Sequence, residues 1–287
     1  MPFGFPSGPE LKAAIIRRLE SPGDTMNAIA KELRFSEDHI TQFRDALKFS
    51  GRRSVDAFLE HRREFLDIGK VAMACELLSL EFQSAVFVPK GNNWYEYFFN
   101  KLNTRFEEFK QNNVAVVTFN YDRSLEYYLV TALENSYGKD RGVCLEMLTA
   151  IPIVHVYGHL GPLPAIAGLG RGFGVGVNGK TVRAAASGIK IIHEGETTET
   201  FERAHELLRS ATRICFIGFG YDETNLDRLL EPPPNGAARV EGSALGLTEG
   251  EIQLVVNRFR NKGFPAPVLS SHPAEALDFL RDMCTFD

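Results

Sequence analysis

The sequence predicts an α/β protein with a doubly wound parallel sheet and a long helical segment ahead of it. Three observations carry this reading. Apolar residues recur at spacings of three and four between residues 10 and 110, the period of helices with one buried face. From residue 114 onward, short β-branched apolar runs alternate with helix-like stretches, as in βαβ units. Glycine, asparagine and histidine gather just after those runs, where open parallel sheets take their ligands.

The elements follow in order. Leu11, Ala14, Ile15 and Leu19 give the first helix its apolar face. Ser36, followed by Glu37 and Asp38, opens another, with the acids placed as the helix dipole prefers. Ser54 caps a long stretch whose buried positions run from Val55 and Phe58 to Leu77 and Leu78. A further helix carries Trp94, Tyr95, Tyr97, Phe98, Leu102, Phe106 and Phe109, an aromatic stripe that reads as a core or interface seam before it reads as a ligand platform. Strands are expected at Val114–Thr118, Ile151–Tyr157, Ile189–Ile192, Arg213–Ile217 and near 266–269. Helices are expected near 123–134, 198–210, 223–230 and 248–261, with a last one after Pro273, where proline suits a first turn. The Gly-rich stretch from Gly161 to Gly188 reads as loop.

Composition narrows the function. The chain has 287 residues, 44% hydrophobic and 24% charged, with a formal charge of −5. That length buries a full core without a metal or disulfide staple. The acidic balance argues against direct nucleic-acid binding, and Arg52–Arg53 and Arg62–Arg63 read as solvated helix faces. No apolar run is long enough for a membrane span and no signal segment opens the chain, so a soluble cytoplasmic protein is expected. Cys75, Cys144, Cys215 and Cys284 are scattered, with no C-x-x-C pair. A zinc ribbon is therefore not expected. Cys75 and Cys215, set in apolar runs, read as small buried hydrophobes in a reducing compartment.

Three strand ends are candidate sites. In Thr118-Phe119-Asn120-Tyr121-Asp122, the Asn120 amide can hold a water or sugar hydroxyl, while Asp122 can equally be a helix cap. In His155-Val156-Tyr157-Gly158-His159, strand alternation puts His155 and Tyr157 on one face, roughly 7 Å apart. His159 follows a glycine that permits a turn or a close ligand. Either histidine is a proton acceptor or a hydrogen-bonded core residue, whereas His193 and His272 read as structural. In Gly218-Phe219-Gly220-Tyr221-Asp222-Glu223-Thr224-Asn225, two glycines before a helix allow backbone amides near a nucleotide, with a tight turn as the alternative.

Taken in this order, T-F-N-Y-D, H-V-Y-G-H-L and I-G-F-G-Y-D-E-T-N-L resemble the sirtuin-like family, in its bacterial zinc-free NAD-hydrolase branch. Ser54–Leu66, Asn93–Leu102 and Pro273–Leu280 add to the resemblance, which covers nearly the whole chain. It implies a Rossmann-like sheet over 111–287, a helical insertion over 36–110 and a remnant of the nucleotide-binding domain's start over 1–35. Two departures stand out. The sequence opens at the glycine–proline segment Phe3–Pro6, so the family's first strand and its Gly-rich turn are absent from it, and Tyr157 stands where the family has its base histidine.

The resemblance implies cleavage of the nicotinamide–ribose bond of NAD, as substrate and without metal, in antiphage defence. Asn120 would position water or ribose, His155 or His159 would accept the proton in place of Tyr157, and Thr118, Asp122 and Gly158 would shape that pocket. Gly218, Phe219, Gly220 and Asn225 would meet the adenosine half. It also implies a homo-oligomer, working with a partner ATPase or a sensor protein. The alternatives are a catalytically silent nucleotide-binding or assembly module, and an NAD-dependent protein deacylase, which the unpaired cysteines disfavour.

Overall fold

The computed structural model describes residues 3–87, 93–102, 105–164, 171–191, 198–231, 233–234, 238–270 and 275–284. The chain divides into two compact units, Met1–Val88 with Thr118–Glu196, and Pro89–Val117 with Thr197–Asp287. It is a mixed α/β protein, mostly helical, with small sheets. The elements begin with α1 (Gly8–Glu20), α2 (Thr25–Glu32), α3 (Glu37–Phe49), α4 (Val55–Leu59), α5 (Leu66–Ser79), α6 (Gln83–Val86) and α7 (Trp94–Lys101). Then come β1 (Val116–Thr118), α8 (Ser124–Tyr137), α9 (Arg141–Leu148), β2 (Ile153–His155), α10 (Gly179–Gly188) and α11 (Glu199–Ser210). The last are β3 (Arg213–Phe216), α12 (Glu223–Leu229), β4 (Arg239–Ser243), α13 (Glu249–Asn261), β5 (Val268–Ser270) and α14 (Ala276–Asp282).

In the first unit the helix starts are set by side-chain caps. Ser7 and Glu10 form a capping box on α1, Ser36 accepts from His39 N on α3, and Ser54 accepts from Ala57 N on α4. Helix α5 is buried on almost every side, through Ile68, Val71, Met73, Cys75, Leu77 and Leu78 among others, so it has no polar stripe. It is the axis of the helical core, touched by α1, α2, α3, α4 and α10. Strands β1 and β2 form a two-stranded sheet, and beyond it Val156 N donates to Thr118 O at 3.0 Å.

Several expectations need correction. Strand β2 ends at His155, and Val156 and Tyr157 lie in a turn, so Tyr157 does not continue the strand face of His155. Of the strand expected at 189–192, Ile189 makes a single bridge to Gly158, and Ile192 lies outside the described residues. The stretch read as loop contains α10, opened by an Asn178–Thr181 capping box that glycine content obscures. Helices α2 and α9, each only eight residues long, escaped the periodicity. The aromatic stripe is broken: α7 stops at Lys101, and Phe106–Gln111 is a 3₁₀ turn, with Tyr95, Phe98, Phe106 and Phe109 buried as a core seam. His193, His272 and Pro273 lie outside the described residues.

One buried charge organises the first unit. Glu81, just after α5, is 1% exposed. It takes Arg123 Nε at 2.9 Å and both terminal nitrogens of Arg171 at 2.7 Å. Arg123, also 1% exposed, spends its remaining donors on the carbonyls of Gly161, Pro162, Arg171 and Gly172. The start of α8 is thereby tied to the loop that follows β2. Glu81→Gln would leave two guanidinium groups facing a neutral amide, and breaking a buried pair from one side costs about 3–5 kcal/mol. Urea unfolding of the variant should show that loss, and a midpoint equal to wild type would refute the role given to Glu81.

The second unit holds a parallel three-stranded sheet in the order β3-β4-β5, built from two strand–helix–strand steps. The central strand β4, Arg-Val-Glu-Gly-Ser, was not anticipated because it carries a charge and a glycine. Glu241 is fully buried there, in salt bridges with Arg213 at 2.9 Å and Arg239 at 2.5 Å. Gly242 is fixed by crowding: a Cβ on it would stand 2.0 Å from the Tyr221 hydroxyl. Cys215 is not a free buried thiol as expected. It is bonded to Cys284, 69 residues away, and the disulfide joins β3 to the residues after α14, where Arg213 also donates to Met283 O at 2.9 Å. A cross-link of that span contributes on the order of 2–4 kcal/mol. Cys215→Ser with Cys284→Ser should therefore lower the melting temperature, and reductant should lower wild type to match and leave the double variant unchanged. Among the described residues, no helix is long and apolar enough to cross a membrane.

Candidate functional site

The turn after β1 is held from several directions. The Thr118 hydroxyl accepts from Asn120 N at 3.1 Å, and the Asn120 carbonyl lies 2.7 Å from His155 Nδ1. Leu160 N donates to Tyr121 O at 3.1 Å. Phe119 meets Tyr157 edge-on, with ring centroids 5.6 Å apart. With its backbone fixed, Asn120 presents an exposed residue at the lip of a small open cleft of about 100 Å³. Apolar walls come from Phe5, Leu11, Leu77 and Phe119, and the polar lining is Asp56, Asn120, Tyr121 and Asp122. No lysine, arginine or histidine is in that lining.

Both cleft aspartates are pushed above the usual carboxylate range. For Asp122 the cause is burial, which outweighs hydrogen bonds from Ser124 and is helped by repulsion from Glu126. Its Oδ1 accepts from Ser124 N at 3.1 Å and from the Ser124 hydroxyl, so the capping role is real. For Asp56 the cause is again burial, outweighing a hydrogen bond donated by the Tyr121 hydroxyl. The Tyr121 phenol is pushed well up by burial and by the Asp56 charge.

The histidines lie behind this turn. His155 is 6% exposed, with Nδ1 on the Asn120 carbonyl and Nε2 2.7 Å from Glu126 Oε1. A carbonyl only accepts, so Nδ1 carries a proton. Burial raises the Glu126 pKa, but His155, by its charge and its hydrogen bond, together with a backbone bond and His159 turns the net shift downward. For His155 burial lowers the pKa, and Glu126, the Asn120 carbonyl and Asp122 together turn the net shift upward, so each partner favours the charged form of the other. His159 goes the other way, lowered by burial and by the neighbouring His155 charge, their rings 5.3 Å apart. Its Nδ1 accepts from Gly161 N at 3.0 Å, which commits the lone pair of the neutral ring. Tyr157 is buried.

The structure therefore brings Asn120 and Asp122 to the cleft lining, while Thr118 only braces the turn through Asn120 N and His155, Tyr157 and His159 are not in the lining. Gly158 has a structural task. Its φ is +76°, and a Cβ there would stand 2.0 Å from the Gly188 carbonyl, so it lets the 188–190 segment pack against the turn. The third segment belongs to the second unit. Gly218, at φ +60°, donates its N–H to Ser243 Oγ at 2.9 Å, and Phe219 packs on Phe216 and Tyr221. Gly220 is exposed, and Asp222 caps α12 through Thr224 N and Asn225 N. Sequence reasoning missed Asp56, Tyr121 and Glu126. Glu126 lies one helical turn beyond Asp122, a spacing that could have flagged it. Asp56 looks like an ordinary first-turn acid behind Ser54. Among the described residues, no cluster of histidine, cysteine and acidic side chains could hold a metal ion. Comparison of the chain with family models, curated proteins and solved structures finds no match.

The His155–Glu126 pair sets a pH window. A raised histidine pKa contributes stability that is complete below its ordinary 6.5 and is lost as pH rises through the folded value. The lowered Glu126 contributes above its ordinary 4.5 and loses that as pH falls through its folded value. In Glu126→Gln burial is opposed by the Asn120 carbonyl and Asp122 without the Glu126 charge. The His155 midpoint, followed by NMR titration, should fall from its wild-type value, and an unchanged midpoint would refute the pairing.

Proposed function

We propose that the first unit's cleft is the nicotinamide–ribose end of an NAD-cleaving site, and that the protein is a sirtuin-like NAD hydrolase with a doubly wound fold. One observation carries the reading: an exposed asparagine and two half-buried carboxylates line one cleft, and among the described residues no cationic side chain joins that lining. Bond cleavage takes a substrate with a cationic ring to a cationic, oxocarbenium-like sugar. Fixed negative charge in a low-dielectric cleft stabilises such a charge as it moves onto the ribose. The Asn120 amide both donates and accepts, which suits it to orient a water or the ribose hydroxyls. The motif resemblance supplies the substrate's identity, the contacts of Gly218, Phe219, Gly220 and Asn225 with the adenosine half, and a cytoplasmic setting in antiphage defence. On the same basis a homo-oligomer with a partner ATPase or sensor protein completes the reading.

A silent assembly module is the second reading, and a specific observation favours it. His155 is bonded at both nitrogens and His159 has its lone pair engaged, so neither is free to take a proton. Nicotinamide release from NAD separates the two. Release by the full chain, lost at least a hundredfold in Asn120→Ala with unchanged thermal unfolding, is the expected result. Absence of release by the folded protein, alone and with a partner, would favour the silent module.

A further inference from the structure

We propose that Asp56, carried on α4 and braced by the Tyr121 hydroxyl, is the catalytic base that takes the proton from the attacking water in this cleft. The inference rests on the NAD-cleaving reading and deepens it, because it moves the base from the histidines to a residue outside the three strand-end motifs.

The argument is one of available lone pairs. His155 has none free, with Nδ1 donating to the Asn120 carbonyl and Nε2 held 2.7 Å from Glu126 Oε1. His159 has one, already taken by Gly161 N–H, and its protonated Nε2 can only donate. Tyr157 is buried behind Phe119. The proton acceptors that line the cleft are the two aspartates. Asp122 takes two bonds from Ser124 on Oδ1 and also feels His155, which lowers its affinity for a proton. Asp56 receives the Tyr121 hydroxyl on Oδ1, which fixes its orientation and leaves acceptor capacity on a group with two oxygens. The charged groups around it are Glu60 on its own helix and, across the cleft, Asp122; both are acidic. Burial and Glu60 raise its affinity for a proton, in the direction that makes a carboxylate a better base near neutrality.

The step balances without an oxidant or a metal. A water oxygen bonds to the anomeric carbon as the carbon–nitrogen bond breaks. The bonding pair goes to the ring nitrogen, which turns from cationic to neutral. The water's proton passes to Asp56, which returns it to solvent after the products leave.

The test uses the full chain, nicotinamide release as readout, and thermal unfolding on every variant. Asp56→Asn should lower kcat by about 10²–10⁴-fold with KM within a few-fold, and should remove the acidic limb of the pH–rate profile. Azide needs no deprotonation to attack carbon, so it should restore nicotinamide release in Asp56→Ala and form the ribosyl azide. Tyr121→Phe keeps the carboxylate but removes a donor to its charged form, so the acidic limb should move to higher pH. That variant decides the matter if the Asp56 variants fail to fold. Undiminished release by Asp56→Asn, a folded Asp56→Ala that azide does not rescue, or an unmoved limb in Tyr121→Phe would each overturn the role of Asp56 alone. A folded wild type that releases no nicotinamide would overturn the cleft's reading and this inference with it.

Discussion

The first unit depends on the burial of one carboxylate. Glu81 has almost no contact with solvent, and an unpaired charge in that position would cost several kcal/mol. It must therefore be met by cations with fixed geometry, and arginine meets that need with a planar fork of donors. Arg123 and Arg171 both bind it, and Arg123 also gathers four carbonyls of the loop after β2. Three segments far apart in sequence are thereby held in one arrangement. Arg123 directly follows Asp122, so the anchor of the fold is next to the turn that presents Asn120. The precision of the cleft edge descends from this network.

Electrostatics then divides the polar groups into two layers. Behind the turn, Glu126 raises the His155 pKa against burial, while burial and then His155 lower that of His159. At the cleft, burial holds Asp56 and Asp122 more basic than free carboxylates. Environments that push like groups apart are how a site separates acid from base roles. Here the separation gives the histidines a positioning and charge-setting part and leaves acceptor capacity with the carboxylates. The His155 ring also faces the backbone carbonyl of Asn120, so the turn's position and the pair's protonation are linked.

The second unit solves a similar problem in a different way. A glutamate in the middle of a central strand is tolerated because Arg213 and Arg239 reach it from β3 and from its own strand. A glycine beside it leaves room for Tyr221, which sits at φ +50°, a conformation that side chains rarely take. The turn from Gly218 to Asp222 is thus shaped by packing on β4 as well as by its own glycines. The Cys215–Cys284 bond fastens the C-terminal helix region to the same sheet.

Much of this chain was legible because it follows local rules. Ser36 and Ser54 announce helix starts, the apolar spacing of Leu11 to Leu19 announces a buried face, and Val116–Thr118 and Arg213–Phe216 announce strands by β-branched or apolar content. The segment Thr118–Asp122 was marked as a site from its residues alone, since asparagine and aspartate between a strand and a helix are unusual enough to notice. Strand β4 was not legible, because its buried Glu241 depends on Arg213 of β3, 28 residues away, as well as on Arg239 of its own strand. Helix α10 was hidden by glycines that a capping box overrides, and the disulfide by 69 intervening residues. The sequence by itself determined which short stretches are helix or strand and which residue types stand at their ends, because those depend on neighbours a few residues away. Only the tertiary structure decided that His155 is bonded at both nitrogens, that His159 has its lone pair engaged and that Asp56 lines the cleft. Protonation and access are set by groups dozens of residues distant, and burial raises the energy of every such encounter.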